Sequence, residues 1–508
     1  MATDRILVDA IRAAACFAIV AGQAYANDGA PLSAIDWLSD SVELAPDEAD
    51  TPDVAAPDAA LPPEIVVAPI DAPLPDRAGL IEARDYGVPA TLWGRSSAAD
   101  LTRAVQALPD MGEAPPTVRR LLHDLLILRL DPPADAVIDS SFFLARVDRL
   151  LEMAQLESAG KLIAATGSPD AQKFRRAFDI ALLTGAETEA CKVMIATPDL
   201  SPTYVARIFC LARGGQWEVA ALTLGNAEAL NILTPEEDQL LLHFLDAELF
   251  EGEPIPTPPL VPAPLMFRLY EAVGERIPTE QLPVPFAFAD LDETVGWKAR
   301  LRASERLVAV DAIPFSDLAE EMRQREPAAS GGIWERVRAM QSLMNGEKNL
   351  VEAWAAAGQG GYQAEFARWM APRLDEAELS GQEAHVSFVI GLLAQDLNLA
   401  RRTAANTVED QFLLALASGQ GGRVPGYDPL SRAAVEGLAS ISPGFQYESL
   451  LDDGRPGEAL LRALGELAEG RSGNPGSVAR ALTLLKELGL ESQARQIAVE
   501  LVLREGEA

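Results

Sequence analysis

The sequence predicts an all-α fold: a solenoid of stacked helical hairpins, with a period of about 33 residues, after a disordered acidic N-terminal segment. Three observations carry this reading. Ser168-Pro169, Ser201-Pro202 and Thr234-Pro235 each offer a hydroxyl at N-cap and a proline at N1, and the three starts lie 33 residues apart. Val118, Leu121, Leu122, Leu125 and Leu126 recur at the spacing of one apolar helix face. Residues 150–163 also match residues 484–497 without gaps at six of fourteen positions, reading Leu-Leu, then Leu-Glu-Ser, then Ile. The shared unit is a helix, a tight turn near Gln155 or Gly489, and a second helix.

Residues 1–26 read as an export signal. Arg5 and Arg12 precede an apolar run over residues 13–21, and Ala24-Tyr25-Ala26 supplies a small-residue cleavage site before polar Asn27. The run is about half of the roughly 20 residues that a helix needs to cross a bilayer, so cleavage after Ala26 is expected rather than a retained anchor. Cys16 lies inside the run, not at its end where a lipid-modified cysteine would sit. No later stretch is long and apolar enough to span a membrane. The expected compartment is the bacterial periplasm.

Residues 27–97 read as a Pro/Ala/Asp-rich linker. Within 41–80 there are eight prolines, nine Asp/Glu and one basic residue, Arg77, with no Phe, Trp or Tyr. Such a stretch cannot bury enough apolar surface to offset its ordering entropy. Upstream stands a small apolar island, Ile35-Asp36-Trp37-Leu38. An indole is costly to leave in water. Either Trp37 docks back on the body, or Trp37 and Leu38 form a short motif that binds a partner.

From residue 98 the pattern is helical. Thr117, after Pro115-Pro116, is placed to cap a helix, and Glu237, three residues after Thr234, completes a capping box. Gly185 and Gly214-Gly215 break the repeats where a hairpin turn is needed. We read a first helical array over 98–250, a Pro-rich joint over 251–294 and a second array over 295–508. Six prolines between 254 and 264, then Pro278, Pro283 and Pro285, stop helices in the joint. Phe286-Ala287-Phe288 reads as an extended piece lying over it. Gly358-Gln359-Gly360-Gly361 and Gly419-Gln420-Gly421-Gly422 read as turns between helices.

After signal cleavage only Cys191 and Cys210 remain. Their midpoint, between residues 200 and 201, falls on the turn signal at 197–202, so a disulfide stapling two antiparallel helices is geometrically reasonable in an oxidising compartment. Two buried free thiols are the other reading.

The helix–turn–helix period with capped starts resembles the tetratricopeptide and related α-solenoids, although the Trp…Leu-Gly…Tyr…Ala…Pro positions of the tetratricopeptide pattern are not in register. Asp85-Tyr86-Gly87-Val88-Pro89, Leu92-Trp93, Pro327-Ala328-Ala329-Ser330-Gly331-Gly332-Ile333-Trp334 and Leu488-Gly489-Leu490-Glu491-Ser492-Gln493-Ala494-Arg495 resemble a group of exported proteobacterial α-helical repeat proteins, sometimes labelled antifreeze-glycopeptide related. That resemblance implies an exported helical repeat and carries no catalytic residue over to this chain.

The chemistry that the composition permits is narrow. The 508 residues hold 42 Lys/Arg against 76 Asp/Glu, a net charge of −34, which argues against nucleic acid and anionic lipid as partners. His123, His243 and His385 each sit alone in a helical run and read as structural. No zinc spacing, Walker loop, nucleophile elbow or calcium loop is present, so no catalytic residue, cofactor or metal site is expected. Acidic neighbours such as Glu236-Glu237 and Glu409-Asp410 read as solvated helix faces. The expected function is therefore a non-enzymatic, periplasmic protein-interaction scaffold, an accessory of a flagellar motor or of envelope assembly, with partners of basic surface. Two alternatives stand beside it. One is a murein or glycan hydrolase with an unrecognised carboxylate pair, and the other a lipid or small-ligand carrier at the joint.

Overall fold

The computed structural model describes Trp37 and residues 74–136, 140–167, 170–347, 349–374, 379–421 and 424–503. The chain divides into residues 1–34, which lie outside that set, and a unit over 35–508. That unit is all-α, with the helix-hairpin packing of tetratricopeptide-like solenoids.

Ordered structure begins earlier than residue 98. A 3-10 turn at Pro75–Arg77, a two-residue strand β1 (Ile81–Glu82) and helix α1 (Ala83–Tyr86) precede α2 (Ala98–Gln106) and α3 (Pro116–Ile127). β1 pairs in parallel with β2 (Leu128–Arg129), Ile81 facing Leu128. The expected linker is corrected over 74–97 because Leu92 and Trp93 supply the apolar area that the upstream composition lacks; both are buried, and Trp93 meets the Phe142 ring edge-on at 5.0 Å. Helices α4 (Ser141–Glu152) and α5 (Leu156–Ala164) complete the first layer. On α4, buried Arg146 donates to the carbonyl oxygens of Leu126, Asp76, Ala78 and Leu128, so one guanidinium ties the early segment to β2.

The next helices form a lobe with its own apolar cluster: α6 (Ala171–Thr184), α7 (Glu187–Ala196), α8 (Tyr204–Arg213), α9 (Trp217–Ala229), α10 (Pro235–Leu245) and α11 (Pro264–Ala272). Each packs on the next, and α11 returns to α6. The helix starts recur after 33 and then 31 residues, from caps Asp170, Thr203 and Thr234, so two of the expected caps are corrected. Asp170 caps α6 by accepting from Lys173 N–H, while Ser168 and Pro169 lie outside the described residues. Thr203, not Ser201, caps α8, because Ser201 instead donates to the Thr203 carbonyl. Thr234 and Glu237 form the expected capping box on α10. Cys191 on α7 and Cys210 on α8 are joined as a disulfide, Cα to Cα 4.9 Å.

Residues 284–291 are not an extended piece. Val284–Leu291 winds as a 3-10 helix packed on α4, α6 and α12 (Trp297–Ala309), with Phe286 fully buried. The chain continues through α13 (Phe315–Arg323), α14 (Ile333–Met344), α15 (Leu350–Gly360), α16 (Gln363–Met370), α17 (Gln382–Leu393), α18 (Leu397–Thr403) and α19 (Val408–Ala417). Gly358 and Gly360 fall inside α15, and the turn is made by Gly361 at φ +76°. Helices α20 (Pro429–Ala439), α21 (Phe445–Asp452), α22 (Pro456–Ala468), α23 (Pro475–Glu487) and α24 (Glu491–Val502) end the described unit.

The last helices return to the first. α24 packs on α3, and α22 packs on α2 and α3. Backbone bonds seal the contact: Arg95 N–H donates to Gly454 O at 2.8 Å, and Gly457 N–H to Leu92 O at 2.9 Å. Thr117 is not a cap. It lies in the first turn of α3, and both its N–H and its hydroxyl donate to Glu500 on α24, at 2.9 and 2.7 Å. In an open solenoid a terminal helix keeps a polar outer face. Here α24 buries Ala494, Ile497, Ala498, Val499, Leu501 and Val502, more than one neighbour can cover.

Candidate functional site

Two places in the unit invite a ligand. The first is a cavity of about 690 Å³ where the ends meet, lined by α3, α15, α16, α17, α19 and α24. Trp354, Phe388, Leu413 and Tyr427 give it an apolar wall, while Glu365, Asp410, Glu500 and His385 give it polar points. Those carboxylates already hold structural partners. Glu500 accepts from Thr117 and Gln496; Asp410 accepts from Ala405 N–H; Glu365 pairs with Arg368, which also reaches Asp311 at 3.2 Å. Burial pushes the Glu365 carboxyl above its ordinary range, Arg368 pulls it back, and Asp311 pushes it further up. Arg119 spans the same wall and donates to the carbonyls of Gly112, Ala114 and Ala309, again a joining role.

The second place is the outer side of the lobe. Of the thirteen large hydrophobic residues exposed among the described residues, nine lie between Val193 and Val261. α9 concentrates them. Ala220, Leu224 and Ala227 face its neighbours, while Val219 and Leu222, one turn apart, are exposed on one flank and Trp217 on the other, Leu222 with 66% of its surface in water. Glu218 and Glu228 are the charged residues of this helix. α9 is covered on one side alone. The Trp217 ring rests against Phe244 of α10 at 5.9 Å, and Phe244 stacks on Phe209 of α8 at 5.6 Å, so the exposed face is anchored to the lobe core. The disulfide between α7 and α8 lies in the same lobe.

The residues singled out in the sequence do not converge. Trp37 is 5% exposed and meets Phe286 edge-on at 5.6 Å, so its ring faces the core rather than solvent; Leu38 lies outside the described residues. His123 bonds Asp124 and Ser158, His243 is buried beside Phe250, and His385 lines the cavity, three separate settings. Among the described residues no His/Cys/Asp/Glu group is arranged to hold a metal, and no helix is long and apolar enough to cross a membrane. The sequence reading missed both the closure and the outward face of α9. Each had a signal: the nearly unbroken apolar run 497–502, and a helix carrying Val219 and Leu222 off its inward face.

Comparison of the chain with protein-family models, with curated proteins and with solved structures finds no match.

Proposed function

We propose that this protein is an exported, non-enzymatic scaffold that binds other proteins through the lobe spanning α7 to α10. The observation that carries the reading is the concentration of exposed apolar side chains on that lobe. Patches of this kind on a folded surface mark interaction sites. A disulfide within the same lobe agrees with an oxidising compartment such as the periplasm, as does the signal-like sequence of residues 1–26. An envelope-assembly or flagellar-motor accessory, related to exported proteobacterial repeat proteins, is the setting that fits these features.

The test is photocrosslinking in the cell from a benzophenone side chain at position 222, with position 487 on the exposed side of α23 as reference. A discrete heavier adduct from position 222 alone supports the scaffold. Equal adducts, or none, overturn it. Export is read separately from the mature N-terminus: Asn27 supports cleavage after Ala26, and a retained Met1 refutes it.

The cavity where the ends meet favours a second reading, a carrier of a small amphipathic ligand, because its volume lies in the usual range for such sites, about 300–1,000 Å³. Native mass spectrometry of gently purified protein decides this: a stoichiometric small molecule supports the carrier, and a bare mass counts against it. Hydrolysis draws less support, since the cavity carboxylates serve as acceptors and ion-pair partners for neighbouring residues.

A further inference from the structure

The proposed scaffold surface has a charge pattern that selects among partners. Residues 214–267, which contain α9 and α10, carry nine Asp/Glu and no Lys or Arg. The acidic residues gather at the α9–α10 junction. Glu236, Glu237 and Asp238 open α10, and Glu228 closes α9. Glu228 and Asp238 are neighbouring carboxyl groups across this junction. A side-chain hydrogen bond with Asp238, and then its like charge, raise the pKa of Glu228. The apolar groups run along the same helix toward this junction: Trp217, Val219 and Leu222 in its first half, and Leu230, 65% exposed, just past its end.

The charge excludes several occupants. A second copy would bring the same carboxylates against themselves. Anionic lipid and nucleic acid are repelled for the same reason. Residues 27–73 of this chain contain no Lys or Arg, so they add repulsion rather than complement. What remains is a cation carried on an apolar body.

Resting on the scaffold reading, we propose that the outer face of α9, with the Glu228–Asp238 pair at its end, is a docking site for a basic amphipathic helix of a partner protein. The partner helix lies over Leu222, with Trp217 at one edge of the contact and Val219 at the other, and its Lys or Arg side chains reach Glu228, Asp238 and Glu236. This is helix-on-face recognition with hydrophobic anchors supplying affinity and charge supplying orientation and on-rate. The thirteen residues of α9 extend about 20 Å at 1.5 Å per residue, enough for a partner helix of about four turns.

The test uses the full chain and two synthetic peptides of about 18 residues, one built of Leu and Lys on opposite helix faces and the other with every Lys replaced by Glu. The Leu/Lys peptide is expected to bind with micromolar Kd by fluorescence anisotropy, about tenfold more weakly when salt rises from about 50 to about 300 mM. The double variant Val219→Ser with Leu222→Ser is expected to weaken it about tenfold, and Glu228→Gln with Asp238→Asn about fivefold. Glu352→Gln with Glu487→Gln, exposed carboxylates elsewhere, should change it less than about twofold. All of these residues keep at least part of their surface in water, and unchanged circular-dichroism melting verifies that the variants fold. Equal binding of the Leu/Glu peptide, or affinity unmoved by the α9 and Glu228/Asp238 variants, overturns the proposal. Should position 222 crosslink a cellular partner while the Leu/Lys peptide fails to bind, the scaffold stands and the basic-helix assignment falls. Peptide binding at α9 without any cellular adduct has the opposite meaning: the site is a cation-selective face, and the scaffold role is refuted.

Discussion

Glu500 on the last helix accepts two hydrogen bonds from Thr117 on α3, 383 residues earlier, and Arg120 on the same helix stands 3.9 Å from it. This carboxylate is almost fully buried and joins the two ends of the array. Glu500→Ala leaves the Thr117 N–H without its acceptor and removes the carboxylate beside the Arg120 guanidinium. It is expected to cost about 2–4 kcal/mol in urea unfolding. It should also speed amide exchange in Pro116–Ile127. A shift below about 0.5 kcal/mol with unchanged exchange would show that the ends do not depend on this clamp.

Gly457 gives the closure a second check. A Cβ there would run into the Trp93 ring and come 2.9 Å from the Leu92 carbonyl, which accepts the Gly457 N–H. Gly457→Ala is expected to destabilise by about 1–3 kcal/mol through overpacking. Gly225 on the outer face of α9 has open space and an ordinary helical backbone, so Gly225→Ala should stabilise by about 0.5–1 kcal/mol. Equal effects of the two variants, read from denaturation midpoints, would contradict the contact at Gly457.

The Cys191–Cys210 disulfide closes a loop with a sequence separation of 19. Loop-closure entropy for a loop of this size is about 3 kcal/mol. The double variant Cys191→Ser with Cys210→Ser is expected to weaken the lobe by that order, seen as faster exchange across α6 to α11 and earlier proteolysis there. Exchange in α20 to α24, which pack among themselves and on α3, should stay as it is. An unchanged lobe would remove the disulfide from its stability.

Glu365 makes stability depend on pH in a stated direction. Its folded pKa lies above the ordinary glutamate value of 4.5 because burial disfavours the carboxylate. Protonated Glu365 therefore favours the fold below that value, and this contribution is lost as pH rises through the raised pKa. Glu365→Gln carries no charge to desolvate. Its denaturation midpoint, relative to the parent protein, should rise between about pH 4 and about pH 7. A relative midpoint that falls over this interval would mean that the Arg368 pair outweighs desolvation.

Trp37 separates docking from display. Its ring fills space against Phe286, which in turn meets Phe267 edge-on at 5.5 Å. Trp37→Ala is expected to cost about 3 kcal/mol and to leave binding of the Leu/Lys peptide unchanged. A stable variant with lost partner binding would assign Trp37 to recognition instead.

The helices are legible in the sequence because their signals are local. The Thr234–Glu237 capping box and the apolar face Val118 to Leu126 depend on residues within a turn or two of each other, and both are present in the structure. The matching segments 150–163 and 484–497 both form helix, turn, helix, with Ala154 and Gly489 at positive φ in the turns. Caps are harder to place. Ser201 and Thr203 are both hydroxyl residues beside a helix start, but Ser201 ends the 3-10 turn Pro198–Leu200 while Thr203 accepts from Ala206 N–H. Thr117 has the local context of a cap, yet its bond to Glu500 comes from the other end of the chain.

By itself the sequence determined an all-α array of short capped helices, since capping, turn residues and 3.6-residue periodicity act over a few positions along the chain. Tertiary structure alone decided that α24 covers α3 and that one side of α9 faces water. An apolar residue is buried or exposed according to which distant helix arrives beside it, and Leu222 and Leu501 carry the same side chain to opposite outcomes.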